Sequence, residues 1–223
     1  MTESHSIAGS RFEDPLTLLL RRKRKLYTVW IRNTYPFASV GSNLSIECPC
    51  QLNRASACRI RLGNSVSIRK DTSLYIVPDD AEGAKLIIND NCVIGPRSTL
   101  SVKNSVHLGP NVITGSSVLI QDHGQAYGDT HLPIRDQGVT KGGRIRIEEG
   151  CWIGKGAAIV CDEGELIIGR NSVIGANSVV TKSFPAYSVI IGNPGRLARH
   201  VDQANAAGIG GEDGHRMIAQ NTR

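Results

Sequence analysis

From Leu62 onward an aliphatic residue returns every six positions, often followed by Gly or closely by Asn. The series runs Leu62, Ile68, Leu74, then Ile88, Ile94, Leu100, and continues at Leu108, Thr114, Ile120. It resumes at Ile147, Ile153, Ile159 and closes at Ile168, Ile174, Val180. A period of six matches neither the 3.6 of a helix nor the 2 of an unbroken strand. It fits a coil with three short flat faces and a sharp corner between each pair, an all-β parallel solenoid. A second, smaller residue recurs four positions after the first, at Val66, Thr72, Cys92, Ser98, Val112, Val118, Cys151, Ala157, Ser172 and Ser178, and is expected to point inward as well. Gly and Asn at the corners suit backbone with positive φ or other tight geometry. A β-sandwich would instead need hairpin turns every 8–12 residues or so, which this spacing does not provide.

The regions outside the hexads divide the chain into three expected parts: 1–37, 38–192 and 193–223. Residues 1–10 read as disordered. Residues 13–33 read as a helix, with Asp14 as N-cap and Pro15 at the first helical position. Its apolar residues (Leu16, Leu19, Leu20, Leu26, Val29, Trp30) flank a basic run, Arg21 to Lys25. The helix suits a cap over the open end of the solenoid, with an interfacial helix on anionic lipid as the competing reading. Residues 38–61 read as an irregular first coil, with Leu44-Ser45-Ile46 as one face. Residues 79–84 form a small loop and 121–146 a large one, where function is expected on a rigid scaffold. After Val180 the chain leaves through Pro185 and Pro194, and 203–223 reads as a flexible tail.

Composition changes this picture little. The low aromatic content (4%) and the 24 glycines fit a narrow aliphatic interior. The formal charge of +6 is concentrated in the helix and between Lys182 and Arg199, which suits phosphate-bearing cofactors or an anionic surface. No nucleic-acid-binding motif accompanies it. The first ten residues are polar, so no secretory leader is expected, and 16–20 is too short an apolar run to span a bilayer. Cys92 and Cys151 occupy hexad positions, and Cys48 and Cys50 have no partner pair at zinc-like spacing. Reduced thiols and a cytoplasmic location, with a possible station at the inner membrane face, follow.

Three segments carry a resemblance. Gly150-Cys151-Trp152-Ile153-Gly154 is similar to a "VWIG" element. The segment 172–182 (SVIGANSVVTK) resembles "VIGAGSVVTK", and 185–194 (PAYSVIIGNP) resembles "PPYSVVVGNPA". These belong to the hexapeptide-repeat acyltransferases. Asp122-His123 followed by 132–138 (LPIRDQG) resembles the sugar O-acetyltransferases of lipopolysaccharide and capsule biosynthesis. The resemblance covers roughly 60–200. It implies a left-handed parallel β-helix, a homotrimer with active sites between subunits, acetyl-CoA as co-substrate, a sugar or glycan acceptor and no metal.

Acetyl transfer from a thioester to a hydroxyl needs a base for the hydroxyl proton and donors for the tetrahedral oxyanion. The resemblance implies a His in the large loop as base, which makes His123 the candidate, oriented by Asp122, with His131 as a substitute. Many relatives carry Asp-His-x-His where this chain has Asp122-His123-Gly124-Gln125. In an ungapped register Gln125 falls nearer the usual His. For coenzyme A the resemblance implies Trp152 and Lys155 near the acyl and pantetheine region and Ala176 along the pantetheine arm. Thr181, Lys182, Arg196 and Arg199 would meet the phosphates. The plainer readings are a turn filler at Ala176, solvated cations, and a Trp152 that packs at the trimer seam.

Three other functions stay open. An N-acetyltransferase of a nucleotide-linked amino sugar would use the same groove. A non-catalytic trimeric scaffold fits Gln125. A zinc carbonic anhydrase of the same solenoid type would use three His, for which His107, His123 and His131 have the wrong spacing.

Overall fold

The computed structural model describes residues 14–79 and 83–201. The expectations for residues 1–10, the centre of the 79–84 loop and the 203–223 tail lie outside the described residues.

The hexads wind into a left-handed parallel β-helix of about six turns with three parallel sheets, here faces A, B and C. The inward residues stack in register from coil to coil. Leu62, Ile88, Leu108, Ile147 and Ile168 form one column in face A. Leu74, Leu100, Ile120, Ile159 and Val180 form another in face C. Nearly all are fully buried, and each such aliphatic side chain contributes roughly 1.5–3 kcal/mol relative to exposure. Thr114 stands where an aliphatic residue is expected, because its Oγ1 accepts the Gly95 N–H at 2.8 Å inside the core.

The small residues four positions later are buried as expected. The polar ones tie adjacent coils: Ser172 Oγ accepts from the Ser188 N–H at 3.1 Å, and Ser178 Oγ from the Gly192 N–H at 3.1 Å.

The corners refine the sequence reading. The left-handed residue lies three positions after the inward aliphatic: Ser65, Asp71, Asn91, Arg97, Asn111, Ser117, Gly150, Gly156, Asn171 and Asn177. The Gly directly after the aliphatic serves another purpose. A Cβ on Gly95 would lie 2.0 Å from the Gly115 carbonyl oxygen, and one on Gly154 would lie 2.6 Å from the Ala176 nitrogen. Gly is needed there for close approach of stacked backbones rather than for positive φ.

Helix α1 (Pro15–Thr34) is N-capped by Asp14, whose carboxylate accepts the Thr17 N–H at 3.1 Å. Its second half covers the first coil. Thr28 Oγ1 donates to the Ile46 carbonyl (3.2 Å) and accepts from the Ile46 N–H (2.9 Å), which satisfies the open edge of face B. Ile31 is buried beside it. At the other end the chain adds a further face-B strand, Ser188–Ile191, and folds Arg196–His200 back antiparallel on it. That closing hairpin was not legible in the sequence. No helix among the described residues is long and apolar enough to cross a membrane.

Candidate active site

The large loop leaves after Leu119–Gln121 on face C and re-enters at Arg144–Ile147 on face A. The chain also departs from the repeat at this same corner after Cys50–Leu52 and after Thr72–Ile76. The large loop's first residue, Asp122, is fully buried and highly connected. Oδ1 accepts the Lys103 N–H at 2.7 Å, and Oδ2 accepts the N–H groups of Asn104 (2.7 Å) and Ser105 (2.8 Å). The carboxylate therefore fastens the tight corner of the preceding coil.

His123 is also buried, and its Nδ1 lies 3.1 Å from Asp122 Oδ1. A carboxylate can only accept, so Nδ1 carries a proton in this pair, and in the neutral imidazole the lone pair is on Nε2. Nε2 faces Ser101 Oγ at 3.5 Å, on the outward side of face C. Gln121 holds the loop backbone by donating from Nε2 to the His123 carbonyl at 2.6 Å. The two arms of the loop then pair. Gln125 bridges to Val139, the Ala126 N–H reaches the Gly138 carbonyl at 2.9 Å, and Thr140 Oγ1 accepts the Gly124 N–H at 2.9 Å. A Cβ on Gly124 would lie 2.9 Å from Asp162 Oδ1, so the loop passes close over that carboxylate.

The structure thus brings together Asp122 and His123 and adds Ser101, which the sequence reading missed because it sits one coil earlier in a different hexad. Gln125 is exposed and belongs to the loop's own pairing. His131 is exposed in the outer part of the loop, where its N–H donates to Asp129 Oδ1 at 2.8 Å. His107 lies elsewhere, on the outer side of face A. There Asn89 Nδ2 donates to its Nε2 at 2.6 Å, and burial together with the nearby Arg146 charge holds its pKa below the usual value. The three histidines do not converge, and no group of three or more potential ligands among the described residues is arranged for a metal ion.

The residues expected to meet coenzyme A fall into two groups. Lys155 and Ala176 stack at the corner between faces B and C, joined by the Asn177 N–H to Lys155 carbonyl bond at 2.9 Å. Trp152 projects from face B beside Ile113 and Val173, and that outward row continues through Val189 to Arg199. Arg196 pairs with Ile191 in the closing hairpin. Thr181 and Lys182 lie past the last strand of face C, with Lys182 Nζ 5.7 Å from the centre of the Phe184 ring. In one chain the Lys155 corner and His123 lie at opposite edges of face C, with the strand Ala158–Val160 and its partner Leu119–Gln121 between them.

Residues 85–120, 144–182 and 165–193 match the family described as the hexapeptide repeat of succinyl-transferase. A protein of Schizosaccharomyces pombe that carries an acetyltransferase name is 32% identical over 120 residues, 54% of this chain and 52% of its own length. A Staphylococcus aureus protein also named for an acetyltransferase is 34% identical over 116 residues, 44% of this chain and 56% of its own length. The chain thus spans about half the length of these curated relatives. In fold it is similar to a variant of AntD, an N-acyltransferase from Bacillus cereus, in complex with dTDP-4-amino-4,6-dideoxyglucose and coenzyme A. That likeness has a TM-score of 0.66 at 20% identity, over 81% of this chain and 92% of that one. A hexapeptide-repeat acetyltransferase of Vibrio cholerae complexed with acetyl-CoA follows at TM-score 0.50 and 19% identity, over 85% and 91%. The chain thus carries the hexapeptide repeat over these residues, resembles in sequence proteins with acetyltransferase names, and shares the fold of the solved hexapeptide-repeat structures.

Proposed function

We propose that the chain transfers an acetyl group from acetyl-CoA to a hydroxyl of a sugar or glycan, in the synthesis of a cell-surface polysaccharide. The observation that carries this reading is the pair Asp122–His123. A buried carboxylate fixes the imidazole through Nδ1, and Nε2 faces the Ser101 hydroxyl. The acceptor hydroxyl gives its proton to Nε2 as its oxygen attacks the thioester carbonyl carbon. As the tetrahedral intermediate collapses, the C–S bond breaks and the imidazolium returns the proton to the departing thiolate. Asp122 stabilises the imidazolium without taking its proton. His131 lies too far out in the loop architecture to share this carboxylate, so His123 is the base.

Trp152, Lys155, Ala176, Thr181, Lys182, Arg196 and Arg199 form the proposed coenzyme A groove. Because one chain separates the Lys155 corner from His123, a homotrimer that sets the groove of one subunit beside the loop of the next would complete the site. Acyl transfer to the amine of a nucleotide-linked sugar is the second reading, prompted by the dTDP-linked amino sugar in the complex of the AntD variant.

Calorimetric titration with acetyl-CoA in the absence of acceptor is the first test, with saturation at about one site per chain expected. Release of free coenzyme A with hydroxyl-bearing glycans, and its loss in His123→Ala, would support O-acetylation. Turnover only with amino sugars would replace it with the second reading. An intact oligomer that binds no acetyl-CoA would leave a scaffold.

A further inference from the structure

Helix α1 has two opposed faces, and only one of them is used by the solenoid. At 100° per residue, Arg24, Thr28 and Ile31 share the side that meets the first coil. Thr28 and Ile31 are buried, and Arg24 pairs with Glu47 at 3.6 Å. On the opposite side Val29, Leu26, Leu19, Trp30 and Leu16 span an arc of about 140°. These five are 52–72% exposed, far above what a core-facing stripe shows. Arg22 and Lys23 project from within the same arc, and Lys25 and Arg32 lie along one flank. All four are exposed.

We infer that this outer face of α1 docks on a lipid bilayer rich in anionic headgroups. An apolar arc with long cations set in it suits the interface, since the aliphatic and indole groups enter the acyl boundary while Arg and Lys stems snorkel back to the headgroups. Charge complementarity selects the occupant. A second copy offering the same face would bring Arg22 and Lys23 against their counterparts, with Lys25 and Arg32 at the flank, whereas phosphate headgroups neutralise them. The opposite face, bonded to Ile46, holds the helix on the first coil, so the element that covers that coil also carries the membrane face. A helix of 20 residues is about 30 Å long and lies on the surface; it does not span.

The test is flotation of the full-length protein with vesicles of phosphatidylcholine alone or with 30% phosphatidylglycerol, together with its mass in lipid-free solution. Recovery with the anionic vesicles only is expected. It should fall at least ten-fold in Leu19→Asp/Leu26→Asp, whose altered positions are exposed and spare the core. Each cation near an anionic surface strengthens binding about five-fold, the equivalent of ~1 kcal/mol. The charge reversal Arg22→Glu/Lys23→Glu should therefore also cost at least ten-fold, and raised salt should weaken the wild type. Three results would overturn the inference: no flotation of the wild type, equal flotation with neutral vesicles, or unchanged flotation of Leu19→Asp/Leu26→Asp. So would a smaller assembly of that variant in lipid-free solution, which would assign the face to another copy of the chain.

Discussion

Replacing Asp122 by Ala should damage the fold more than removing the imidazole that it orients. The Asp122 side chain has no exposed surface and accepts four hydrogen bonds, three from the backbone of 103–105 and one from His123. Truncation leaves three corner N–H groups without an acceptor at that site. An orphaned buried donor costs roughly 1–3 kcal/mol, and these part-buried ones fall at the low end of that range. With about 1 kcal/mol for the freed His123 N–H, the total is about 4 kcal/mol. In a chain of this length that lowers the melting temperature by about 8–16 °C. Asp122→Asn keeps one acceptor oxygen but turns an amide N–H₂ toward existing donors, and should cost about 2 kcal/mol. If that N–H₂ settles against His123 it reverses the imidazole tautomer, a change that costs about 10⁴ in turnover where a carboxylate–imidazole pair is catalytic. His123→Ala removes one bond and should cost only about 1 kcal/mol. Urea unfolding followed by far-ultraviolet circular dichroism measures all three. An Asp122→Ala variant within about 1 kcal/mol of wild type, or a His123→Ala variant as damaged as Asp122→Ala, would refute the reasoning.

His107 has a folded-state pKa below its free value, so its contribution is present above the free value of about 6.5 and is lost as pH falls through the folded one. The loss in melting temperature between pH 7.5 and 5.5 should be smaller in His107→Gln, which keeps an acceptor near Asn89, than in wild type; equal losses would sink the assignment. Gly95→Ala should unfold the chain or cost several kcal/mol, because its Cβ meets the Gly115 carbonyl oxygen at 2.0 Å; a thermal scan reads this directly. Burial pushes the Cys50 thiol up to about 12 and those of Cys92 and Cys151 to about 11, while Cys58 is exposed. Ellman's reagent should therefore label Cys58 ahead of these three thiols in the native protein, and Cys58→Ser should abolish that fastest phase.

The inward columns were legible in the sequence because each hexad repeats one steric problem, the filling of a narrow triangular interior. Asp122 and His123 were legible through the resemblance, but their division of labour was not. That Asp122 fastens the 103–105 corner depends on a contact between coils 17–19 residues apart. Ser101 was hidden for the same reason, since its neighbour His123 lies one full turn away. The helix was legible as an element with its cap, yet a single row of letters cannot say which arc packs on Ile46 and which stays bare. The closing strand Arg196–His200 carries five exposed residues and no periodic signal, so only its partner Ser188–Ile191 reveals it.

Why chemistry gathers at one corner follows from the stacking itself. The corners after faces A and B repeatedly use a left-handed residue three positions on, at Asn91 and Arg97 or Asn171 and Asn177 for example. Most also place Gly next to the aliphatic residue, where the backbone of the adjacent coil comes within 3 Å of any added carbon. Where Gly stands in such a corner, that position admits no side chain. After face C the aliphatic residue is followed by Tyr75, Ser101, Gln121 and Val160, which stand in one paired outward row. The third corner is therefore the place where the solenoid can both release a loop and present side chains beside it. Ser101 and Gln121 come from that row, and Asp122 and His123 from the loop that it releases. Loop and row meet only because the rigid columns beneath hold consecutive coils at the strand spacing of about 4.8 Å. The repeat that makes the core monotonous is what fixes the candidate site to within the length of a hydrogen bond.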